Sequence, residues 1–147
     1  MTNIYPHWKR ESFSIWTDPD RINLDIVCGF LESSYWASDI PRADLERSFA
    51  TSLNYSLWDE TTGKQIGFAR VVTDRVRFAW LSDVFVIESY QGQGLGHWLI
   101  ESITKDTRIR ETRRWVLATS DAHGLYSQFG WGEVPKSVYM ERKRPVT

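Results

Sequence analysis

A glycine-rich stretch carries the residues whose chemical use is clearest in this sequence. Glycine occupies every second position from Gly92 to Gly96, just before an apolar stripe at helical spacing that begins at Trp98. Residues 84–87 before it are apolar and mostly β-branched or aromatic, as in a buried strand. The first N–H groups of a helix are unpaired and lie at the positive end of its dipole, and glycine admits a bulky anion. The stretch therefore predicts a strand, a turn and a helix that bind phosphate or pyrophosphate.

Two common phosphate-binding motifs do not fit this stretch. A Walker loop ends in Gly-Lys-Ser/Thr, and a dinucleotide fingerprint needs a third glycine where this chain has His97 or Leu99. The pattern that fits is Gln/Arg-x-x-Gly-x-Gly/Ala, here Gln91-Gly92-Gln93-Gly94-Leu95-Gly96. This pattern resembles the acyl-CoA pyrophosphate loop of the GCN5-related N-acetyltransferases, the GNAT family.

A second motif lies about 30 residues later and resembles the same family. The family commonly has Leu-Tyr-x-x-x-Gly-Phe there, and this chain has Leu125-Tyr126-Ser127-Gln128-Phe129-Gly130-Trp131. The chain departs from the family where many members bind the pantetheine arm with an asparagine, since residues 118–121 are Ala-Thr-Ser-Asp.

The pattern of the remaining segments agrees with that family's fold. We predict a single α+β domain over residues 1–147, with a core at about 12–140, a loose polar tail at 141–147 and the element order β-α-α-β-β-β-α-β-α-β. Strands are predicted at 12–17, 55–59, 65–73, 78–87, 114–118 and 131–140, the last one interrupted at Pro135. Helices are predicted at 21–34, from Pro41 with the stripe Leu45, Phe49 and Leu53, at 94–108 and at 121–128.

Composition excludes several classes of protein. The chain has 147 residues, net charge −1 and 41% hydrophobic residues, as expected of one globular domain without the broad basic surface of a nucleic-acid binder. It has no apolar run long enough to cross a membrane and no signal-peptide pattern. One cysteine, Cys28, and three scattered histidines predict no metal site. A cytoplasmic location is the simplest interpretation.

The resemblance implies an acetyl-CoA-dependent N-acetyltransferase in which an amine attacks the thioester directly. It assigns Phe85, Val86 and the six loop residues to acetyl-CoA, with the Val86 N–H polarising the thioester carbonyl. It assigns Tyr126 as the proton donor to the departing thiolate. It also makes a homodimer possible, because homodimers are frequent in the family.

The position of the general base is where the chain departs most from the family pattern. Polyamine acetyltransferases of this family have Leu-Glu-Asp-x-x-Val where this chain has Leu81-Ser82-Asp83-Val84-Phe85-Val86, so Ser82 replaces the favoured glutamate. Asp83 is the candidate base, directly or through water, although on a regular strand it would point away from the face of Ser82. A bulge could redirect it. A structural role, such as an ion pair with Arg70, is the alternative.

Tyr35, Trp36 and Trp80 are candidates for the acceptor pocket, together with Ser82. Alternation puts Trp80 on the face of Ser82 and Val84, and aromatic walls suit an aromatic amine or an alkylammonium group. We therefore expect the acceptor to be a small primary amine. Transfer to a protein or peptide, and a non-catalytic acyl-CoA-binding module, remain the alternatives.

Overall fold

The computed structural model describes residues 5–136 and 138–145. Its strands are β1 (His7–Arg10), β2 (Phe13–Trp16), β3 (Leu53–Asp59), β4 (Lys64–Thr73), β5 (Ala79–Val86) and β6 (Trp115–Leu117). Its α-helices are α1 (Leu24–Glu32), α2 (Arg42–Ala50), α3 (Leu95–Lys105) and α4 (His123–Ser127). Short 3₁₀ turns lie at Pro19–Arg21 and Glu88–Tyr90.

The six strands form one mixed sheet in chain order. Every neighbouring pair from β1 to β5 is antiparallel, and only β5 and β6 are parallel. The pairing of β5 with β6 runs from Ala79 opposite Trp115 to Leu81 opposite Leu117 and ends there. Because β5 continues to Val86, its second half has no partner on the β6 side and a gap opens between the two strands.

Both faces of the sheet carry helices, and each face has its own core. Residues of α3 such as Leu99 and Ile103 pack with Leu57 and Leu81 on one face, which we call the α3 face. On the opposite face, the α1–α2 face, a second cluster joins the two early helices to the sheet. Its buried members include Val27, Leu31, Phe49, Phe68 and Phe85.

A buried polar trio fixes the end of α3 against the sheet. The Tyr55 hydroxyl of β3 donates to Asp106 at 2.7 Å, and Arg108 forms a 2.8 Å ion pair with the same carboxylate. Burial opposes the charge of Asp106, but the hydrogen bonds from Arg108 and Tyr55 outweigh it and lower the pKa of the carboxyl. Anchoring this end of α3 also sets where its other end, next to the glycine stretch, points.

The α+β fold predicted from the sequence is confirmed, with corrections to individual elements. An extra strand, β1, precedes the first predicted one, and the stripe assigned to the second helix stops at Phe49 because Leu53 begins β3. Helix α3 ends at Lys105 rather than near 108. The next residue is Asp106, whose carboxylate accepts hydrogen bonds from the backbone N–H and the side chain of Arg108.

The last predicted strand is the largest correction. Of residues 131–140, all except Ser137 are described, and none of those described is in a strand. Gly132 and Pro135 interrupt the segment, and proline removes a ladder donor. Val146 and Thr147, the end of the predicted tail, lie outside the described residues.

Candidate active site

The glycine stretch adopts the strand, turn and helix geometry predicted for it. Gly92 and Gly94 have φ values of 85° and 77°, in the left-handed region that glycine enters without strain. Gly94 caps α3, and no side chain among the described residues accepts a hydrogen bond from the N–H groups of its first turn. A Cβ placed on either glycine would meet nothing within 4 Å. The turn is therefore open beside both glycines, and the first turn of α3 has no side-chain cap.

The N–H of Val86 points into the gap between β5 and β6. The next N–H along the chain, that of Ile87, donates to Ile66 on β4 at 2.8 Å, and successive N–H groups of a strand point to opposite sides. The Val86 carbonyl lies on the same side and accepts a 2.9 Å hydrogen bond from the Gln91 side chain. Gln91 thus joins the end of β5 to the glycine stretch. The N–H of Val86, which is the predicted donor to the thioester carbonyl, points to the side on which β5 no longer pairs with β6.

Phe85 has a different environment from Val86. Its ring is buried on the α1–α2 face and stacks on Phe30, with ring centroids 3.9 Å apart. Any contact of Phe85 with an acyl-CoA would therefore come from its backbone, and its ring holds α1 against the sheet.

Tyr126 lies buried in α4, the helix that follows β6. It belongs to the core of the α3 face, and its ring packs against Trp131 with centroids 5.9 Å apart. Its hydroxyl makes no hydrogen bond with the described residues. Burial, and to a smaller extent the charges of Asp121 and Tyr35, raises the pKa of Tyr126 to about 12. The phenol therefore remains protonated and able to donate at neutral pH.

A bulge in β5 sets the position of Asp83. Phe68 pairs with Phe85 and Arg70 with Ser82, so two β5 residues lie opposite one β4 residue. Asp83 has a φ of 56°. The bulge turns Asp83 to the face of Ser82, where the Asp83 carboxylate forms a 2.8 Å ion pair with Arg70. The ion pair with Arg70 suggested by the sequence is present.

The segment between α1 and α2 attaches to this bulge and to the far side of the gap. The Trp36 indole N–H donates to the other oxygen of Asp83 at 3.0 Å. The Tyr35 hydroxyl accepts a 3.0 Å hydrogen bond from Ser120, which follows β6. Tyr35 is 68% exposed and Trp36 38%. These two rings border the gap on the α1–α2 face, opposite the side on which Tyr126 packs.

The bulge also corrects the predicted alternation along β5. Trp80 and Ser82 share the α1–α2 face, because they pair with Val72 and Arg70. Val84, expected on that face, packs instead against the core of the α3 face. The candidate acceptor residues Tyr35, Trp36, Trp80 and Ser82 therefore lie on one side of the sheet without Val84.

Two contacts in this region could not be recognised from the sequence. One is the 3.1 Å hydrogen bond from Arg70 to Ser52, which joins segments with no common motif. Ser120 lies in the segment that lacks the family's asparagine, and its bond to Tyr35 spans 85 positions. No local signal in the sequence indicates either contact.

The described residues hold no group of three or more histidine, cysteine, aspartate or glutamate side chains arranged for a metal ion. Within the same residues, no helix has the length and apolar character needed to cross a bilayer.

Comparison with known proteins gives a consistent result. The family model described as "Acetyltransferase (GNAT) domain" matches residues 53–133. A protein of Gibberella zeae named "Putative acetyltransferase FG08082" is 26% identical over 141 residues, covering 83% of this chain and 80% of that relative.

Solved structures agree with this match. One from Xanthomonas campestris, described as "a putative acetyltransferase belonging to the gnat family", is 34% identical with a TM-score of 0.84, covering 90% of this chain and 94% of that one. A "Probable Acetyltransferase" from Staphylococcus aureus is 25% identical with a TM-score of 0.72, covering 90% and 99%. The chain belongs to the GNAT family of acetyltransferases.

Proposed function

We propose that this enzyme transfers the acetyl group of acetyl-CoA to the primary amine of a small molecule by direct attack on the thioester. The GNAT family implies acetyl-CoA as the co-substrate, which supplies an activated acyl group on a thiol leaving group. One observation carries the proposal. The N-terminus of α3 has no side-chain cap, and just before it in the chain the N–H of Val86 points into the gap between β5 and β6.

The glycine stretch fits the pyrophosphate of such a co-substrate. Gly92 and Gly94 have positive φ, and a side chain at either position would extend into the open space beside the turn. The residues from Gln91 to Gly96 carry no formal charge, so backbone N–H groups and the dipole of α3 supply the attraction. Binding at this end therefore depends on backbone shape more than on side-chain identity.

Val86 and Tyr126 are suited to the two points where charge develops. A backbone N–H aimed at the carbonyl oxygen stabilises the negative charge that the oxygen gains during attack. A phenol that stays protonated can donate to the sulfur as the C–S bond breaks. Both groups are held by packed elements, Val86 by β5 and Tyr126 by the core of the α3 face, which favours a fixed geometry.

The acceptor side supports an amine with an apolar or aromatic body. Tyr35 and Trp36 meet edge to face with ring centroids 5.1 Å apart, and Phe30 lies 6.4 Å from Trp36. Aromatic faces attract alkylammonium groups and stack on aromatic amines. Ser82 and Trp80 continue this surface along β5.

The incoming ammonium must lose a proton to a base, either directly or through a water molecule. Each oxygen of the Asp83 carboxylate accepts one hydrogen bond, from Arg70 or Trp36, and retains a lone pair that a water could use. We propose that Asp83 chiefly positions Trp36 and serves as a base only through water.

Release of CoA thiol tests the proposal directly. Purified protein is mixed with acetyl-CoA and a panel of polyamines, arylalkylamines, aminoglycosides, amino acids and short peptides. We expect acceptor-dependent thiol release that is lost in Tyr126→Phe. If acetyl-CoA binds but no amine is acetylated, the acceptor is outside the panel or the protein is a binding module. If CoA does not bind, the assignment of the glycine stretch is wrong.

A further inference from the structure

Helices α1 and α2 leave part of the α1–α2 face of the sheet uncovered. Helices α1 and α2 cover the rows that contain Phe68 and Phe85. On the N-terminal side of the bulge in β5, Trp80 pairs with Val72 of β4 and with Val116 of β6, so these three residues form one row across three strands. Val72 is 42% exposed, and Phe78, which precedes β5, is 40% exposed. We call these four apolar residues, which none of the helices in the described chain covers, the open sheet strip.

The open sheet strip ends at a cluster of arginines. A cleft of about 510 Å³ is lined by Asp74, Arg77, Phe78, Arg113 and Arg114. None of its three arginines forms an ion pair with a carboxylate in the described part of the chain. The Oδ1 of Asp74 accepts hydrogen bonds from the backbone N–H groups of residues 76, 77 and 78 at 2.8 to 3.1 Å. We call this site the arginine cleft.

The backbone around the arginine cleft is held in place by hydrogen bonds between its two segments. The N–H of Arg113 donates to Val76 at 3.0 Å, and the N–H of Ala79 donates to Arg114 at 2.8 Å. Ala79 pairs with Trp115, so the neighbouring Phe78 and Arg114 lie side by side on the α1–α2 face. The arginine cleft and the open sheet strip therefore form one continuous surface.

That surface begins at the candidate active site. Trp80, in the middle of the open sheet strip, is two residues from Ser82, and the bulge at Asp83 follows immediately. At about 3.4 Å per residue, Phe78 lies about 14 Å along the strand from Ser82 and about 17 Å from Asp83. A ligand whose amine reaches the gap could lie on the open sheet strip and place its other end among the arginines.

We propose that the acceptor is an amine whose apolar body ends in an anionic group, and that the arginine cleft binds that anion. The inference rests on the proposed function, since it names the acceptor of the same reaction. Carboxylate and phosphate suit guanidinium groups, which present paired donors in a planar fork. The apolar body gains by covering Val72, Trp80 and Phe78, and a polyamine would be repelled by the arginines.

Matched acceptors test this proposal. Peptides of about five extended residues span the required length. We would compare apolar pentapeptides with a free amino terminus as C-terminal carboxylates and as amides, together with a long-chain ω-amino acid and its amide. For the wild-type enzyme, kcat/KM should be about 10-fold higher for each carboxylate, mainly through KM, because hydrogen bonds between guanidinium and carboxylate are stronger than those to a neutral amide. Added salt should reduce the preference.

Two variants make the test specific. In the double variant Arg77→Gln with Arg114→Gln, the preference for the carboxylate over the amide should fall at least 3-fold, because only Arg113 remains in the arginine cleft. The matched control is Arg47→Gln, an arginine on α2 whose side chain is 81% exposed, and it should leave the preference intact. A shorter pair of apolar dipeptides should show no preference, because it cannot reach the arginine cleft.

The outcomes separate the inference from the proposed function. Equal rates for carboxylate and amide in the wild type, or a preference that does not fall in the double variant, would overturn the inference. Acetylation of other amines but of neither member of any pair would overturn it too, while leaving the proposed function standing. If no amine is acetylated at all, the proposed function fails and takes the inference with it.

Discussion

The two sides of the gap are built in different ways. The acyl-CoA side is made of consecutive residues, from Val86 to the first turn of α3, and its proposed contacts are backbone N–H groups. The proposed acceptor side is made of side chains from separated segments, which hydrogen bonds join over long sequence separations: Tyr35, Trp36, Arg70, Asp83 and Ser120. The first depends on local backbone shape, whereas the second depends on one bulge and on the packing around it.

Removal of the Tyr126 hydroxyl should have the largest effect. Tyr126→Phe deletes the proposed proton donor, so kcat should fall by about 10²- to 10³-fold, within the range for general acid catalysis. CoA affinity should stay within about a factor of two, because the hydroxyl makes no hydrogen bond with the described residues and the ring keeps its packing. Rapid thiol-release kinetics and calorimetric CoA binding would measure the two quantities.

Tyr139→Phe is the matched control for this variant. Tyr139 is 44% exposed and follows the last helix of the described chain, so the same substitution there should leave kcat unchanged. Wild-type kcat in Tyr126→Phe would show that the departing sulfur is protonated by solvent or another group.

The acyl-CoA side should be sensitive to backbone geometry. Gly94→Ala puts a side chain on a residue with φ of 77°, at a cost of about 1–2 kcal/mol unless the turn changes shape. If the turn relaxes, its N–H groups lose their direction and the Kd for CoA should rise about 5- to 30-fold, the factor that corresponds to that energy. The KM of the acceptor should not move.

Gly29→Ala provides the control for adding a methyl group. Gly29 lies within α1, and a Cβ there meets nothing within 4 Å. Alanine should raise the stability of that helix by about 0.5–1 kcal/mol and leave CoA binding unchanged. Tight CoA binding by Gly94→Ala would mean that the pyrophosphate lies elsewhere.

The acceptor side should respond through acceptor KM and not through CoA affinity. Trp36→Phe keeps a ring but loses the 3.0 Å hydrogen bond to Asp83. A hydrogen bond to a charged group contributes about 1.5–3 kcal/mol, and Trp36 is partly exposed, so we expect acceptor KM to rise only about 3- to 10-fold. Trp115→Phe is the control, since the indole of Trp115 has no hydrogen-bond partner among the described residues. An unchanged KM would show that Trp36 does not shape the acceptor site.

Asp83→Asn distinguishes a positioning residue from a base. Asparagine still accepts the bond from Trp36 but leaves Arg70, whose side chain is 17% exposed, without its carboxylate. A positioning role predicts a higher acceptor KM at every pH. A base predicts a lower kcat that recovers as pH rises and the amine loses its proton to solvent. Measuring kcat and KM against pH in the variant gives the two outcomes.

The difference between the two sides also explains how much the sequence could predict. The glycine stretch, β5, α3 and the Tyr126 motif are local patterns, so their fold and order were predicted correctly. The sequence allows a bulge near Asp83 but does not establish one, because two residues of β5 opposite one of β4 is a property of the strand pairing. The absence of a strand in the described residues of 131–140 and the presence of β1 also depend on strand pairing, because a short strand is stable only when it pairs with a neighbouring strand.

The smallest expected effect is on the alkaline side of the pH profile. A phenol whose pKa is raised to about 12 stays protonated well above neutral pH, so kcat should show no loss attributable to Tyr126 up to about pH 10, the ordinary tyrosine pKa.

The same raised pKa affects stability. As pH rises, Tyr126 ionises in the unfolded chain before it ionises in the folded one, so the stability that it contributes is full below about pH 10 and is lost as pH rises toward 12. Thermal unfolding at increasing pH should show that loss in the wild type and a smaller one in Tyr126→Phe. A fall in kcat below about pH 9 that disappears in Tyr126→Phe would mean that the phenol is far more acidic than its burial allows, and that it faces solvent instead of the core of the α3 face.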